Sequence, residues 1–284
     1  IIPARFWTGD GQYDWAKLDE FFTTALSANP RARIFVELPL YPAPWFEKAH
    51  PEQMEKYFNG TEMKTMSLAG PLGSDLWLAT SVKMIHDVVA HIEASDYGSN
   101  VFAYLCGGGQ SLEWYWPGSM DGFAGYSDAT RQSFQAWLRK TYNGDVTALR
   151  NAWNNNAVTF QTAEVPSPEF RKQAAVPLFL DPSEFQQEID FRKYLTASTE
   201  RHLAASAHAV KEACHDRKLV MAFHGYAMSA TGSPKLANAG LQGLGAALAN
   251  PDIDCIAALA DYSKRRGGQA GLSINPFFAS ARLH

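Results

Sequence analysis

The stretch Val101-Phe-Ala-Tyr-Leu-Cys106, Gly107-Gly108-Gly109, Gln110-Ser-Leu-Glu113-Trp-Tyr-Trp116 decides how this chain is read. Six apolar residues in a row suit a short, fully buried strand. Three glycines break the run, and a carboxylate among aromatic residues follows directly. A strand that stops in glycine and then presents an acidic side chain is a pattern of parallel sheets, which carry their chemistry at the carboxyl ends of strands.

Working outward, strands and helices alternate. Leu76 to Ser95 reads as a helix, with Leu78, Val82, Ile85, Val89 and Ile92 on one stripe. Tyr97-Gly98-Ser99-Asn100 turns the chain into the central strand. Further upstream, Asp14 to Ala28 has helical spacing, and Arg33 to Leu38 reads as a strand stopped by Pro39, Pro42 and Pro44. Residues 49–75 read as irregular. Downstream, Ser127-Asp128 caps a helix to about Tyr142, and residues 154–182 show no period. Ser183 is placed to cap a long helix to about Asp216. Leu219 to Phe223 and Ile253 to Ala257 follow as strands, and Ile1 to Phe6 is a candidate fifth. The alternation predicts an α/β fold, a single domain over residues 1–284 with a parallel sheet under helices. Four or five strands are fewer than eight, so the expected architecture is a (β/α)8 TIM barrel, incomplete in these residues. An open α/β sheet is the other arrangement this pattern allows.

Composition narrows the function. Hydrophobic residues make up 46% and charged residues 19%, with a net charge of −4. That balance offers no basic footprint for nucleic acid or an anionic membrane. No apolar run reaches the roughly 18 residues of a membrane span, so a soluble chain is expected, in the cytoplasm or secreted. Cys106, Cys214 and Cys255 are too scattered for a disulfide framework or a zinc pattern, and read as buried free thiols. The triple glycine lacks the Lys-Ser/Thr of a phosphate loop, so no nucleotide or other cofactor is expected. Eight tryptophans suit a surface on which flat rings stack against sugars.

Glu113 is the candidate acid. A carboxyl pressed against the indoles of Trp114 and Trp116 would lose hydration and hold its proton, as a general acid for a glycosidic oxygen must. Trp45, in the proline-rich loop, is a candidate stacking ring. His224, Tyr226 and Asp261 follow strands and are candidate substrate contacts. Glu37 lies within a strand and is expected to pair with a basic residue.

The motifs around Glu113 resemble glycoside hydrolase family 42 and its β-galactosidase-like relatives. They are Pro39-Leu-Tyr-Pro-Ala-Pro-Trp-Phe46 with His50-Pro51-Glu52, Tyr126 to Tyr142, Ala148-Leu-Arg-Asn-Ala-Trp153 with Val165-Pro166, Phe223-His-Gly-Tyr226, Pro251-Asp-Ile-Asp254, and Tyr262-Ser-Lys-Arg-Arg-Gly-Gly268. The resemblance covers most of residues 14–268. The resemblance implies a retaining β-glycosidase with two glutamates about 5–5.5 Å apart, Glu113 falling where the family carries its acid/base. Three departures stand out. The residue before Glu113 is Leu112, where the family has an Asn that binds the sugar 2-hydroxyl; Gln110 is the candidate replacement. No Glu follows Glu212, so the nucleophile is expected outside these residues. The family's cysteine cluster before the Tyr126 segment is absent, so no structural metal is expected. A barrel of this kind would take a carbohydrate partner. Exposed sheet edges would favour self-association into a homo-oligomer. The rival reading is a non-catalytic carbohydrate-binding barrel, or an inactive fragment.

Overall fold

The computed structural model describes residues 1–175, 179–224 and 238–257. The chain opens with a helical turn, α1 (Pro3–Phe6), and a small hairpin of β1 (Trp7–Gly9) and β2 (Gln12–Tyr13). Then come α2 (Trp15–Ala28), β3 (Ile34–Pro39), α3 (Pro44–Ala49), β4 (Lys56–Phe58), β5 (Met63–Thr65), α4 (Asp75–Ala94) and β6 (Val101–Gly107). After β7 (Phe123–Ala124) follow α5 (Asp128–Thr141), α6 (Val146–Ala152), α7 (Pro168–Ala174), α8 (Pro182–Cys214), β8 (Leu219–Phe223), α9 (Leu244–Leu248) and β9 (Cys255–Ala257).

Strands β3, β6, β8 and β9 pair in that order, all parallel. Sequential parallel strands joined by helices are an arc of a (β/α)-barrel. The register aligns Val36 with Tyr104 and Val220, and Leu38 with Cys106 and Ala222. These side chains are buried together with Met84, Ile85, Val88 and Ile92 of α4 and Leu203, Ala207 and Val210 of α8. The alternate positions, Phe35, Glu37, Leu105, Met221 and Phe223, project to the opposite face. Phe35 is 52% exposed there and Leu219 48%, so this face is the less covered of the two.

The predicted helices and the four core strands form within a residue or two of their expected bounds. Ile1 to Phe6 is a correction: Pro3 starts a helical turn closed by Arg5 N–H to Ile2 O at 3.0 Å, and Phe6 and Trp7 drop into the core. The cap of α8 is Asp181, whose Oδ1 accepts from Ser183 N at 2.9 Å. Residues 49–75 contain the β4–β5 hairpin, to which β7 adds a third strand, and residues 154–182 contain α7. Cys106 and Cys214 are buried as expected, whereas Cys255 is exposed. No helix among the described residues is long and apolar enough to cross a membrane.

The small sheet is fastened to the helices by the fully buried Glu55. It accepts from Lys56 N at 2.9 Å, Ser127 N at 3.2 Å and Thr130 Oγ1 at 2.5 Å. Burial raises its pKa, and these hydrogen bonds oppose the rise. Inside α8, burial and the neighbouring Arg201 push His202 down to about 3 from an ordinary 6.5. A depressed histidine pKa gives stability that is present above pH 6.5 and is lost as pH falls toward 3. The thermal midpoint of the protein should therefore fall more steeply between pH 6.5 and 4 than that of a His202→Gln variant; parallel curves would contradict this.

Candidate active site

Glycines shape the loop that carries Glu113. Beyond the end of β6 the chain folds back, so that Trp114 N donates to Gly108 O at 2.9 Å and Gln110 N to Tyr115 O at 2.7 Å. A Cβ on Gly108 would stand 2.4 Å from the Trp114 ring, and one on Gly109 would stand 2.3 Å from Tyr115 O. Gly109 also has φ of +61°. Only glycine lets the loop lie this close to the strand end. Ser111, Leu112 and Trp114 take φ of +62°, +64° and +63°. These left-handed conformations are strained for residues with side chains, and such strain concentrates at sites held rigid for function.

The two indoles next to Glu113 serve as anchors. Trp114 is fully buried and its Nε1 donates to Cys106 O at 3.1 Å. Trp116 is also fully buried, 5.8 Å from the ring of Tyr194, and its backbone N donates to Ala239 O at 2.9 Å. Both were expected to face a sugar; they are part of the core instead, because the loop turns their rings down beneath the strand ends. Gln110 is also committed to the loop: its Oε1 accepts from Gly118 N at 3.1 Å and its Nε2 donates to Asp121 at 3.0 Å.

Glu113 itself is half-buried and has tyrosines for neighbours. Burial raises the pKa of Tyr115, and the negative charge of Glu113 adds to the rise. Tyr41 is raised by burial first and then by the carboxylates of Glu37 and Glu113, while a hydrogen bond from the backbone of Leu112 opposes the rise. Tyr41 lies just past the end of β3, and Leu40 N donates to Gly107 O at 2.7 Å. The ends of β3 and β6 are thus joined, and Glu37, Tyr41, Glu113 and Tyr115 are brought into one electrostatic neighbourhood. Among the described residues no Lys or Arg side chain forms an ion pair with Glu37; the cation that senses its charge is the Ile1 ammonium. Tyr41 and Tyr115 were missed by sequence reasoning. The signal was available for Tyr41, a polar aromatic four residues after a strand carboxylate.

Trp45 is the second residue of α3 and is half-buried against Trp7, at 5.2 Å, and Phe46, at 5.7 Å. His224 directly follows β8 with its ring fully buried, and its Nε2 is 2.8 Å from Glu200 of α8. The ring therefore meets the helix layer. Tyr226 and Asp261 lie outside the described residues. No group of three or more metal-ligating side chains occurs among the described residues. A surface cavity of about 640 Å³ lies apart from this site, against the helices, lined by Asp75, Trp137, Lys140, Tyr194 and Arg201 among others.

The family model of the glycoside hydrolase 42 β-galactosidases matches residues 114–239, beginning at the residue after Glu113 and covering just under half of the chain. Residues 114–239 are therefore similar to glycoside hydrolase family 42. Its fold is similar to the catalytic domain of β-amylase from Paenibacillus polymyxa, with a TM-score of 0.65 at 14% identity over 90% of this chain and 67% of that one. It is similar as well to the β-galactosidases of the psychrophilic Marinomonas ef1, with a TM-score of 0.55 at 16% identity, and of Bacillus circulans sp. alkalophilus, with 0.53 at 15%. The chain spans 30% of the length of each β-galactosidase and 76% of itself is covered. No curated protein matches the sequence. These likenesses show the fold, an α/β arrangement of the TIM-barrel kind.

If Gly108 exists to admit Trp114, then Gly108→Ala should destabilise the protein by about 1–3 kcal/mol through overpacking. Gly245→Ala, in α9 with nothing within 4 Å of the new methyl, should be neutral or stabilising by roughly 0.5–1 kcal/mol. Urea unfolding of both variants checks this, and equal effects would refute the steric account.

Proposed function

We propose that this chain is the acid/base-bearing part of a retaining glycoside hydrolase that acts on β-glycosides, β-galactosides being the favoured class. The observation that carries the reading is Glu113, held by a strained loop at the carboxyl end of a strand in a barrel-type sheet, where such enzymes place catalytic carboxyls. Glu113 gives its proton to the departing glycosidic oxygen, then takes one from water as the glycosyl-enzyme is hydrolysed. The attacking carboxylate in this scheme comes from residues other than those described.

Trp45 is the stacking ring retained from the sequence reading, since it is the half-buried tryptophan of the proline-rich loop. Tyr41 and Tyr115 lie close enough to Glu113 to feel its charge, so the acid has aromatic rings beside it. Leu112 offers no hydrogen bond to a sugar hydroxyl, and Gln110 is occupied, so recognition of the 2-hydroxyl falls to other groups.

The acid's role is tested by leaving group. Glu113→Gln should lower turnover of unactivated β-glycosides by about 10²–10⁴-fold and spare aryl glycosides whose leaving group needs no proton. Equal losses on both would remove the assignment. Leu112→Asn restores a hydrogen-bonding side chain of a type that tolerates left-handed backbone. It should raise kcat/KM for a β-galactoside relative to its 2-deoxy analogue, and an unchanged ratio would show that this position does not read the sugar.

A further inference from the structure

We infer that Arg171 of α7 is a positioning residue that holds the Glu113 loop from behind; the catalytic meaning of that loop rests on the reading above. Its guanidinium is fully buried, with the rings of Phe191, Phe123 and Tyr126 at 4.9, 5.0 and 5.5 Å. Nη1 donates to Ala124 O at 2.5 Å and Nη2 to Asn238 Oδ1 at 2.6 Å. Nε lies 3.6 Å from Oε2 of the equally buried Glu188, whose other oxygen takes the Arg192 Nε at 2.8 Å. A buried cation is costly, and apolar residues of similar size would fill the same space at least as stably. What they cannot do is bind two separate segments at once.

The two segments grip the loop at two points on the C-terminal side of Glu113. Asn238 precedes Ala239, whose carbonyl accepts the Trp116 amide at 2.9 Å. Ala124 belongs to β7 and pairs with Tyr57 of β4, and the Tyr57 side chain lies directly against Gly118. One planar fork thus fixes the acceptor of Trp116 and the platform under Gly118, three and five residues past Glu113. A lysine carries the charge but has no fork with which to span both acceptors. Arg171 does not approach the reacting atoms; it acts through Asn238–Ala239 and through β7.

Hydrogen exchange of the intact protein, in Arg171→Lys and Asn238→Ala variants, tests this. Asn238→Ala removes only one arm of the contact and guards against a variant that fails to fold. Amides in 113–119 should exchange about tenfold faster in both variants, with α5 and α8 unchanged. Alongside, kcat on unactivated β-glycosides should fall while KM and turnover of activated aryl glycosides hold. Faster exchange in 113–119 in a protein without glycosidase turnover would keep the positioning role and refute the function proposed for Glu113. Unchanged exchange in 113–119, or an equal rise through α5 and α8, would overturn the inference.

Discussion

The indole of Trp114 lies against Gly108 beneath the end of β6, and the rest of the candidate site follows from that contact. The ring is fully buried, bonded to Cys106 O, and occupies the space a side chain at position 108 would need. With the indole directed inward, the chain must reverse within Gly109 to Leu112, and three neighbouring residues accept left-handed backbone to do so. Such conformations cost on the order of 1–2 kcal/mol each, which burial of an aromatic ring on this scale offsets. The result is a short, rigid loop whose one acidic side chain is turned away from the core. Rigidity of this kind is what a catalytic carboxyl requires, because misplacement by about 1 Å can cost orders of magnitude in rate.

The two faces of the sheet divide the labour. Val36, Leu38, Tyr104, Cys106, Val220 and Ala222 pack against α4 and α8 and supply the stability. The positions between them place Glu37 on the other face, and Tyr41 and Glu113 follow the same strand ends. Tyr41 responds to both carboxylates, so the strand-end side of the molecule concentrates negative charge next to partly apolar rings.

Much of the fold was legible in the sequence because the signals were local and strong. The alternation of Val101 to Cys106 with the helical stripes of 76–95 and 183–216 needs no tertiary information. Strands of three residues, such as β4 and β5, carry too few residues for a period and are set by pairing with each other and, for β4, with β7. Ile1 to Phe6 is as apolar as a strand, but Pro3 lets it turn. Within the site, the position of Glu113 was legible from the glycines before it. The roles of Trp114 and Trp116 were not, since a tryptophan beside a carboxylate reads the same whether its ring faces a sugar or the core. Only the backbone reversal, enforced by Gly108 and Gly109, decides between them. Arg171 was invisible for a related reason: its partners Ala124, Glu188 and Asn238 are distant in sequence and unremarkable in type.

The most direct test of the central claim, that this loop presents Glu113 as a proton donor to a glycosidic bond, is a crystal structure of the protein with a non-hydrolysable thio-β-galactoside. The account predicts the sugar at the strand ends of β3 and β6, with a Glu113 carboxyl oxygen about 2.6–3.2 Å from the oxygen position of the scissile linkage, and with Trp114 and Trp116 still buried beneath it. A sugar bound with Glu113 turned away from the linkage, or seated on exposed Trp114 and Trp116 rings, would contradict it.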